Sequence, residues 1–440
     1  MSVCLSLLLL LVQFSSIVCF VFDDVLHQYA TYGQSLVLIG GNQADDNAEI
    51  YNTIVQMAGG TGVAKIGLIH AASADPQDSF NFYHDIFVNR YGASEANFIP
   101  IDVNHTSANS DPNVIQLIRR QTGFFFGGGD QHRVTQSLLL PDGNPSPALV
   151  AIREMKRKGA VIAGTSAGTT CQTDRVMIMV NRWTHRWTVT EINHFHINVY
   201  GVSWDALKDG AHETENSQHP DDLIYQRIGG IGLFHGYIMD SHFSQRGRQG
   251  RMIRLLWDTR KQSLGSNFAF GVDEDTALVV THDGTNQASG KVIGSSGVTL
   301  LDISKATSTS SRYFSIHGVS ASYLTNGDQI NLHTRAITTA PNKTSLAGHE
   351  MYAHALTSTD IFAHWDSDSD QKPEFVRVAT SIYDNRNEQF TYGTTNETNP
   401  RFNVTMSVIG HDSVGWVERK PSHKNDLISF ANLEISIDEA

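Results

Sequence analysis

The chain has 440 residues, 40% of them hydrophobic, and a formal net charge of −13. That length and apolar content suit one large or two ordinary domains with packed cores and exclude a disordered chain. The acidic balance argues against nucleic acid as a partner.

The first apolar stretch, "CLSLLLLLVQFSSIVCF", has small residues near its end, precedes charged "DDV" and is short for a membrane span. It reads as a secretory signal peptide over residues 1–20, cleaved near Cys19, so the mature chain is expected to be extracellular and free of stable membrane association. Sequons at Asn104, Asn342, Asn396 and Asn403 agree with that route and are candidate glycosylation sites. Losing Cys4 and Cys19 with the leader leaves Cys171 without a disulfide partner.

From residue 35, "SLVLIG", "KIGLIH", "NFIPID", "GFFFGG" and "AVIAG" predict short strands. Helices are predicted between them over 44–58, 78–91, 111–121, 131–140 and 146–158. In the last of these Leu149, Ile152 and Met155 recur at helical spacing and Gly159 follows as a stop. The alternation implies an α/β fold with a mostly parallel sheet, helices on both faces and the site at the carboxyl ends of the strands. Residues 181–227, rich in Trp, His, Asn and Asp, read as an insertion. Regularity returns with "YIMDSHF", a helix beginning in "RGRQGRMIRLL", and strands in "FAFGVDEDTALVVT" and "KVIGSSGVTLLDI". Beyond about residue 305 the chain is polar, Ser/Thr-rich and motif-poor. The expected division is a hydrolase domain over 33–304 and a β-rich C-terminal extension over 305–440.

Three stretches could carry chemistry. In "VIAGTSAGTT" a strand runs into Gly164-Thr165-Ser166-Ala167-Gly168, a turn that lifts a serine hydroxyl above the sheet edge and aims the Ala167 N–H at a developing oxyanion. The plainer reading is a small residue in a tight turn. In "GFFFGGGDQHRV" the glycine triplet lets Gly128 or Gly129 supply a second N–H, or serves only as a strand-to-helix turn. No Gly-Lys-Ser/Thr follows it, so it does not read as a nucleotide site. In "MDSHFSQRGRQGR" His242 is placed to act as a general base. Arg246, Arg248 and Arg251 crowd a helix start, where positive charge opposes the helix dipole. They are either a carboxylate-binding group or a solvated basic face.

Other features have plainer readings. His185, His194 and His196, with His212 and Glu213, could bind zinc only if a third ligand converged, and they are read as ordinary loop residues. Trp183 and Trp187 suit the core of the insertion better than a polymer-binding surface. Cys171 reads as a buried, inert thiol. No metal or cofactor is expected.

Taken in order, "LVLIGG", "FFFGGGDQ", "GTSAGT", "IGGIGLF", "DSHFSQRGRQGR" and "GVDEDTALVV" resemble the cyanophycinase-like serine peptidases of family S51, related to dipeptidase E, over roughly residues 35 to 303. The resemblance implies a class I glutamine-amidotransferase-like sandwich and a Ser-His-Glu/Asp triad with Ser166 as nucleophile and His242 as base. It also implies that Gln131, Asp240, Arg246, Arg248 and Arg251 hold substrate, the arginines taking carboxylates and Asp240 a guanidinium. His242 follows Ser166 by 76 residues, longer than the bacterial pattern. The acid is therefore assigned to Asp205 of "SWDALKDGA", with Glu191, Glu213 and Glu215 as alternatives. Ser241 stands where cyanophycinases usually carry glutamine. The implied function is secreted hydrolysis of acidic peptides or of a polyaspartate–arginine polymer through an acyl-enzyme, releasing β-aspartyl-arginine dipeptides. The alternatives are an aspartyl dipeptidase-like hydrolase or a secreted binding protein that has lost catalysis. The expected partners are the peptide substrate and, in a homodimer, a second copy of the chain.

Overall fold

The computed structural model describes residues 31–179, 202–214, 216, 219, 221–309, 311–364, 372–408 and 412–440. The expected signal peptide, Trp183, Trp187, His185, His194, His196, Glu191 and Glu215 lie outside the described residues.

Five parallel strands form the heart of the first sheet: β1 (Leu36–Ile39), β2 (Lys65–Ile69), β3 (Glu95–Phe98), β4 (Gly123–Phe126) and β5 (Val161–Thr165), in the order β1-β5-β4-β2-β3. Their neighbours can be read from side-chain alternation. Leu36, Leu38, Phe124, Phe126 and Ile162 enter one core, while Val37, Ile39, Phe125, Val161 and Ala163 enter the core on the other face. Strands buried on both faces are apolar throughout, which is why they stand out in the sequence. "NFIPID" is displaced: β3 ends at Phe98, and Pro100 has no N–H to continue a ladder.

The intervening helices are α1 (Ala48–Met57), α2 (Pro76–His84), α3 (Pro112–Ile118), α4 (Gln131–Leu138) and α5 (Pro147–Lys158). Local chemistry fixes α5 at both ends. Ser146 accepts from the Leu149 N–H, Pro147 opens the first turn, and Gly159 closes the helix at φ 112°. A short helix, α6 (Ala167–Thr170), follows β5.

Between 171 and 227 a small sheet forms from β6 (Met177–Ile178), β7 (Ala211–Glu213) and β8 (Leu223–Gln226), with α7 (Ser203–Asp209) beside it. Next come β9 (Ile238–Asp240), α8 (Gln249–Thr259), β10 (Phe268–Val272), β11 (Thr276–Thr281), β12 (Ser289–Gly294) and β13 (Gly297–Asp302). β11 and β12 extend the first sheet antiparallel beyond β1.

Of the C-terminal strands, β14 (Ile316–Thr325), β15 (Gln329–Asn331), β16 (Ile337–Thr338) and β17 (Thr344–Ser345) precede α9 (Glu374–Ser381). β18 (Phe390–Thr394), β19 (Phe402–Ser407), β20 (Val414–Glu418) and β21 (Leu427–Glu439) follow it. The second sheet runs β17-β20-β21-β14-β13-β10-β9, with β19 and then β18 branching from β21. The β13–β14 pairing carries this sheet across residue 305, so most of the C-terminal strands continue a sheet begun by β9 and β10, while β15 and β16 extend the first sheet beyond β12. Phe270, Val272, Val298 and Leu300 pack toward the first sheet, while Ala269, Leu301 and Ala321 face Ile253 and Leu256 of α8 and Val378 of α9. Among the described residues no helix is long and apolar enough to cross a membrane.

Candidate active site

The turn after β5 is tight because two glycines touch backbone. A Cβ on Gly164 would lie 2.1 Å from the Gly168 carbonyl oxygen, and one on Gly168 would lie 2.1 Å from that of Phe126. Ser166 between them sits at φ 54°, ψ −119°, a region that non-glycine residues rarely occupy. Its N–H donates to the Ile39 carbonyl at 3.1 Å, and its own carbonyl accepts from Thr169 and Thr170 at 2.9 and 3.0 Å. These bonds hold a strained residue at the carboxyl end of the sheet, partly exposed between buried neighbours.

β9 ends at the same edge. His242 follows it at φ 47°, with its N–H on the Gly40 carbonyl at 2.7 Å. Its ring lies against Gly41, where a Cβ would come within 2.4 Å of Nε2. Nε2 stands 2.8 Å from Ser166 Oγ, and Nδ1 stands 2.6 Å from Glu274 Oε1. An ionised carboxylate only accepts, so Nδ1 carries the proton and Nε2 is left to accept from the serine hydroxyl. Burial pushes the His242 pKa down to about 4, against the raising effect of the Glu274 hydrogen bond, and neighbouring Arg246 and Arg248 add to the fall. The imidazole is therefore neutral at pH 7, the state a general base needs. Burial pushes the Glu274 carboxyl up, but the hydrogen bond and charge of His242, the Asn42 amide and Arg246 outweigh it, and its pKa ends below the ordinary value. Asn42 Nδ2 donates to Glu274 Oε2 at 3.0 Å, and Gln245 Oε1 accepts from the Glu274 N–H at 3.1 Å.

Glu274 replaces Asp205 as the carboxylate beside His242. Asp205 lies on α7, where burial and the charges of Asp221, Asp209 and Glu397 push its pKa up to about 6; nothing pairs it with the imidazole. Glu213, an alternative at the sequence level, bonds instead with Arg227 and Tyr225. The displaced expectation has a topological cause. β10 runs parallel to β9 with Gly271 opposite Asp240, so the turn after β10 lands beside His242. The signal was present in "GVDEDTALVV": acidic residues closing a strand at the edge where the histidine stands.

The glycine triplet lies across from the serine. A Cβ on Gly128 would be 3.4 Å from Ser166 Cβ, so this peptide borders the hydroxyl directly. Gly127 donates to Ile69 and Asp130 to Ala72, fixing both ends of the loop. Among the described residues the N–H groups of Gly128, Gly129 and Ala167 have no backbone acceptor outside regular elements. Asp130 caps α4 by accepting from the His132 N–H.

The substrate-binding expectation needs correction for four residues, Gln131, Asp240, Arg248 and Arg251. Asp240 is 1% exposed and is held by Arg251 through contacts of 2.8 to 3.0 Å and by Arg248 at 2.9 Å. Burial pushes this carboxyl up, but Arg248 and Arg251 more than reverse it. Asp240 thus compensates two buried guanidiniums at the start of α8, which answers the unfavourable dipole without any ligand. Gln131 is buried, with Nε2 donating to the Ile178 carbonyl at 2.8 Å. Arg246 differs: it is partly exposed, and among the described residues it forms no ion pair. Ser241 is buried, its N–H on Asp240 and its hydroxyl 3.3 Å from Thr170 Oγ1. Cys171 is fully buried and its thiol is pushed up by burial. Among the described residues no three His, Cys, Asp or Glu side chains stand close enough together to hold a metal ion.

Residues 36–183 match the model of peptidase family S51. Cyanophycinase from Synechococcus elongatus is 28% identical over 321 residues, covering 71% of this chain and 83% of its own. Cyanophycinase from Trichormus variabilis is 27% identical over 323 residues, covering 72% and 91%. The chain is a serine-type peptidase similar to those of family S51. A solved peptidase from an acI-B1 actinobacterium aligns with 68% of the peptidase and 96% of itself at 18% identity and a TM-score of 0.43, too loose a match to bear on its fold. The S51 match of the peptidase ends at residue 183, so Ser166 lies inside it, while His242 and Glu274 reach the serine through the packing of the two sheets.

Proposed function

We propose that the peptidase is secreted and cleaves acidic peptides, including a polyaspartate–arginine polymer, through an acyl-enzyme on Ser166. The observation that carries the reading is the single imidazole placed 2.8 Å from a strained serine hydroxyl and 2.6 Å from a carboxylate. In this mechanism His242 Nε2 takes the Ser166 proton as Oγ attacks the peptide carbonyl, and Glu274 stabilises the imidazolium that forms. The Ala167 and Gly128 N–H groups hold the oxyanion. His242 then returns the proton to the leaving amine, and a water activated by the same nitrogen releases the acyl group. Arg246 is the guanidinium left to bind a substrate carboxylate.

The leading substrate rests on the cyanophycinases as relatives. A second reading, preference for short aspartyl peptides, is favoured by Asp240, whose pairing with Arg248 and Arg251 leaves it no capacity for a substrate guanidinium. Assaying the polymer beside a panel of Asp-Xaa peptides, with products identified by mass, separates the two. Release of β-aspartyl-arginine that disappears in Ser166→Ala supports the first. Turnover of α-linked dipeptides alone supports the second, and turnover unchanged by Ser166→Ala overturns both.

A further inference from the structure

The outer ribbon of the second sheet carries two large aromatic side chains in solvent, Phe390 at 63% and Tyr392 at 48% exposure. Both belong to β18, and the β18–β19 register sets Phe390 opposite Ser407, Tyr392 opposite Thr405 and Thr394 opposite Asn403. Opposed residues of an antiparallel ladder share a face. The other face of this ribbon, with Thr391, Gly393, Val404 and Met406, is buried. Asn403 and Thr405, the two specifying residues of an Asn-Val-Thr sequon, therefore stand on the same solvent face as the exposed rings. Asn403 Oδ1 is buried and has no hydrogen-bond partner among the described residues. Asn403 is half-buried, whereas Asn104, Asn342 and Asn396 are exposed, and none of those three lies in a strand beside an aromatic residue of the partner strand.

We propose that Asn403 is an N-glycosylation site whose first sugars lie on Tyr392 and Phe390. The inference rests on the secretory route proposed above. Tyr392 is the diagonal neighbour of Asn403 at about 7 Å, within the span of one sugar ring. Phe390 lies about 7 Å further along the strand, the place of the second sugar. The apolar C–H face of an N-acetylglucosamine stacks on an aromatic ring, which accounts for two bulky apolar side chains kept in water on a ribbon whose other neighbours are Ser, Thr, Glu and Asp. In the transfer, Asn403 Nδ2 forms a bond to C1 of the first N-acetylglucosamine of a lipid-pyrophosphate-linked oligosaccharide and loses a proton. The C1–O bond to pyrophosphate breaks, and the lipid pyrophosphate leaves; no oxidant or reductant is required.

The test is expression of the full chain in a eukaryotic secretory host, with occupancy of the four sequons mapped by mass spectrometry. Melting is then compared for wild type, Tyr392→Ala, Asn403→Gln and the double variant. The proposal expects Asn403 to be occupied and Tyr392→Ala to lower Tm by about 2 °C only when the glycan is present, so that the two changes are not additive. Peptidase activity should be the same in all four proteins. An empty Asn403 beside occupied neighbouring sequons overturns the site while leaving the secretory reading intact. An occupied Asn403 with fully additive Tm changes overturns the stacking. Four empty sequons on a chain retained in the cytosol overturn the secretory reading and this inference with it.

Discussion

Replacing Glu274 by glutamine should cripple catalysis while leaving the fold in place. The side chain holds His242 Nδ1 at 2.6 Å through Oε1 and accepts from Asn42 Nδ2 at 3.0 Å through Oε2. Glutamine cannot satisfy both partners as they are now oriented. With its oxygen toward His242, its NH2 faces the Asn42 NH2, donor against donor. With its NH2 toward His242, Nδ1 must accept, and the proton moves to Nε2, where it blocks removal of the serine proton. The lost charge is also costly, since an ion pair about 4 Å apart at an effective dielectric constant near 20 contributes about 4 kcal/mol to the imidazolium. That corresponds to a fall of about three decades in kcat. The assay is steady-state hydrolysis with KM and Tm measured on the same preparations, and Asp205→Asn as the comparison. Glu274→Gln activity within threefold of wild type, or an equal loss in Asp205→Asn, would refute the assignment.

Other consequences follow from the same geometry. Because burial holds the His242 pKa near 4, kcat/KM should stay level down to about pH 5 and fall as pH drops through about 4; an acid limb near the ordinary value of 6.5 would show a solvated imidazole. Gly41→Ala places a Cβ 2.4 Å from His242 Nε2 at a position with φ +101°, so activity should drop at least a hundredfold while circular dichroism is retained; near-normal activity would mean the ring is not held there. Asp240→Asn leaves Arg248 and Arg251 buried without their counter-charge, and unfolding should become easier by about 3 to 5 kcal/mol in denaturant titration. Unchanged stability with weakened substrate binding would instead return Asp240 to the substrate.

Much of the first sheet was legible because its strands are apolar on both faces and end in glycine or polar residues. The α5 boundaries were equally plain, since Ser146, Pro147 and Gly159 each have a local role. Ser166 and His242 stood out because both sit at strand ends, where a turn must raise them. The partner of the histidine did not, because a sequence gives order and not register. Glu274 meets His242 only because β10 returns parallel to β9, and Asp205 was favoured by an insertion count that the pairing makes irrelevant. The arginine cluster misled for a related reason. Its unfavourable place at a helix start suggested a ligand, whereas Asp240, eight residues before Arg248 and eleven before Arg251, supplies the opposite charge from within. The C-terminal strands alternate small polar and apolar residues, a weaker pattern than a buried run, and their pairing to β13 cannot be read locally.

The central claim is that Ser166 is the activated nucleophile. Treating the purified chain with a fluorophosphonate and mapping the adduct by mass spectrometry tests it most directly. A single adduct on Ser166, formed quickly in wild type, slowed in Glu274→Gln and absent in Ser166→Ala, is the predicted result. No adduct, or one on another residue, would contradict it.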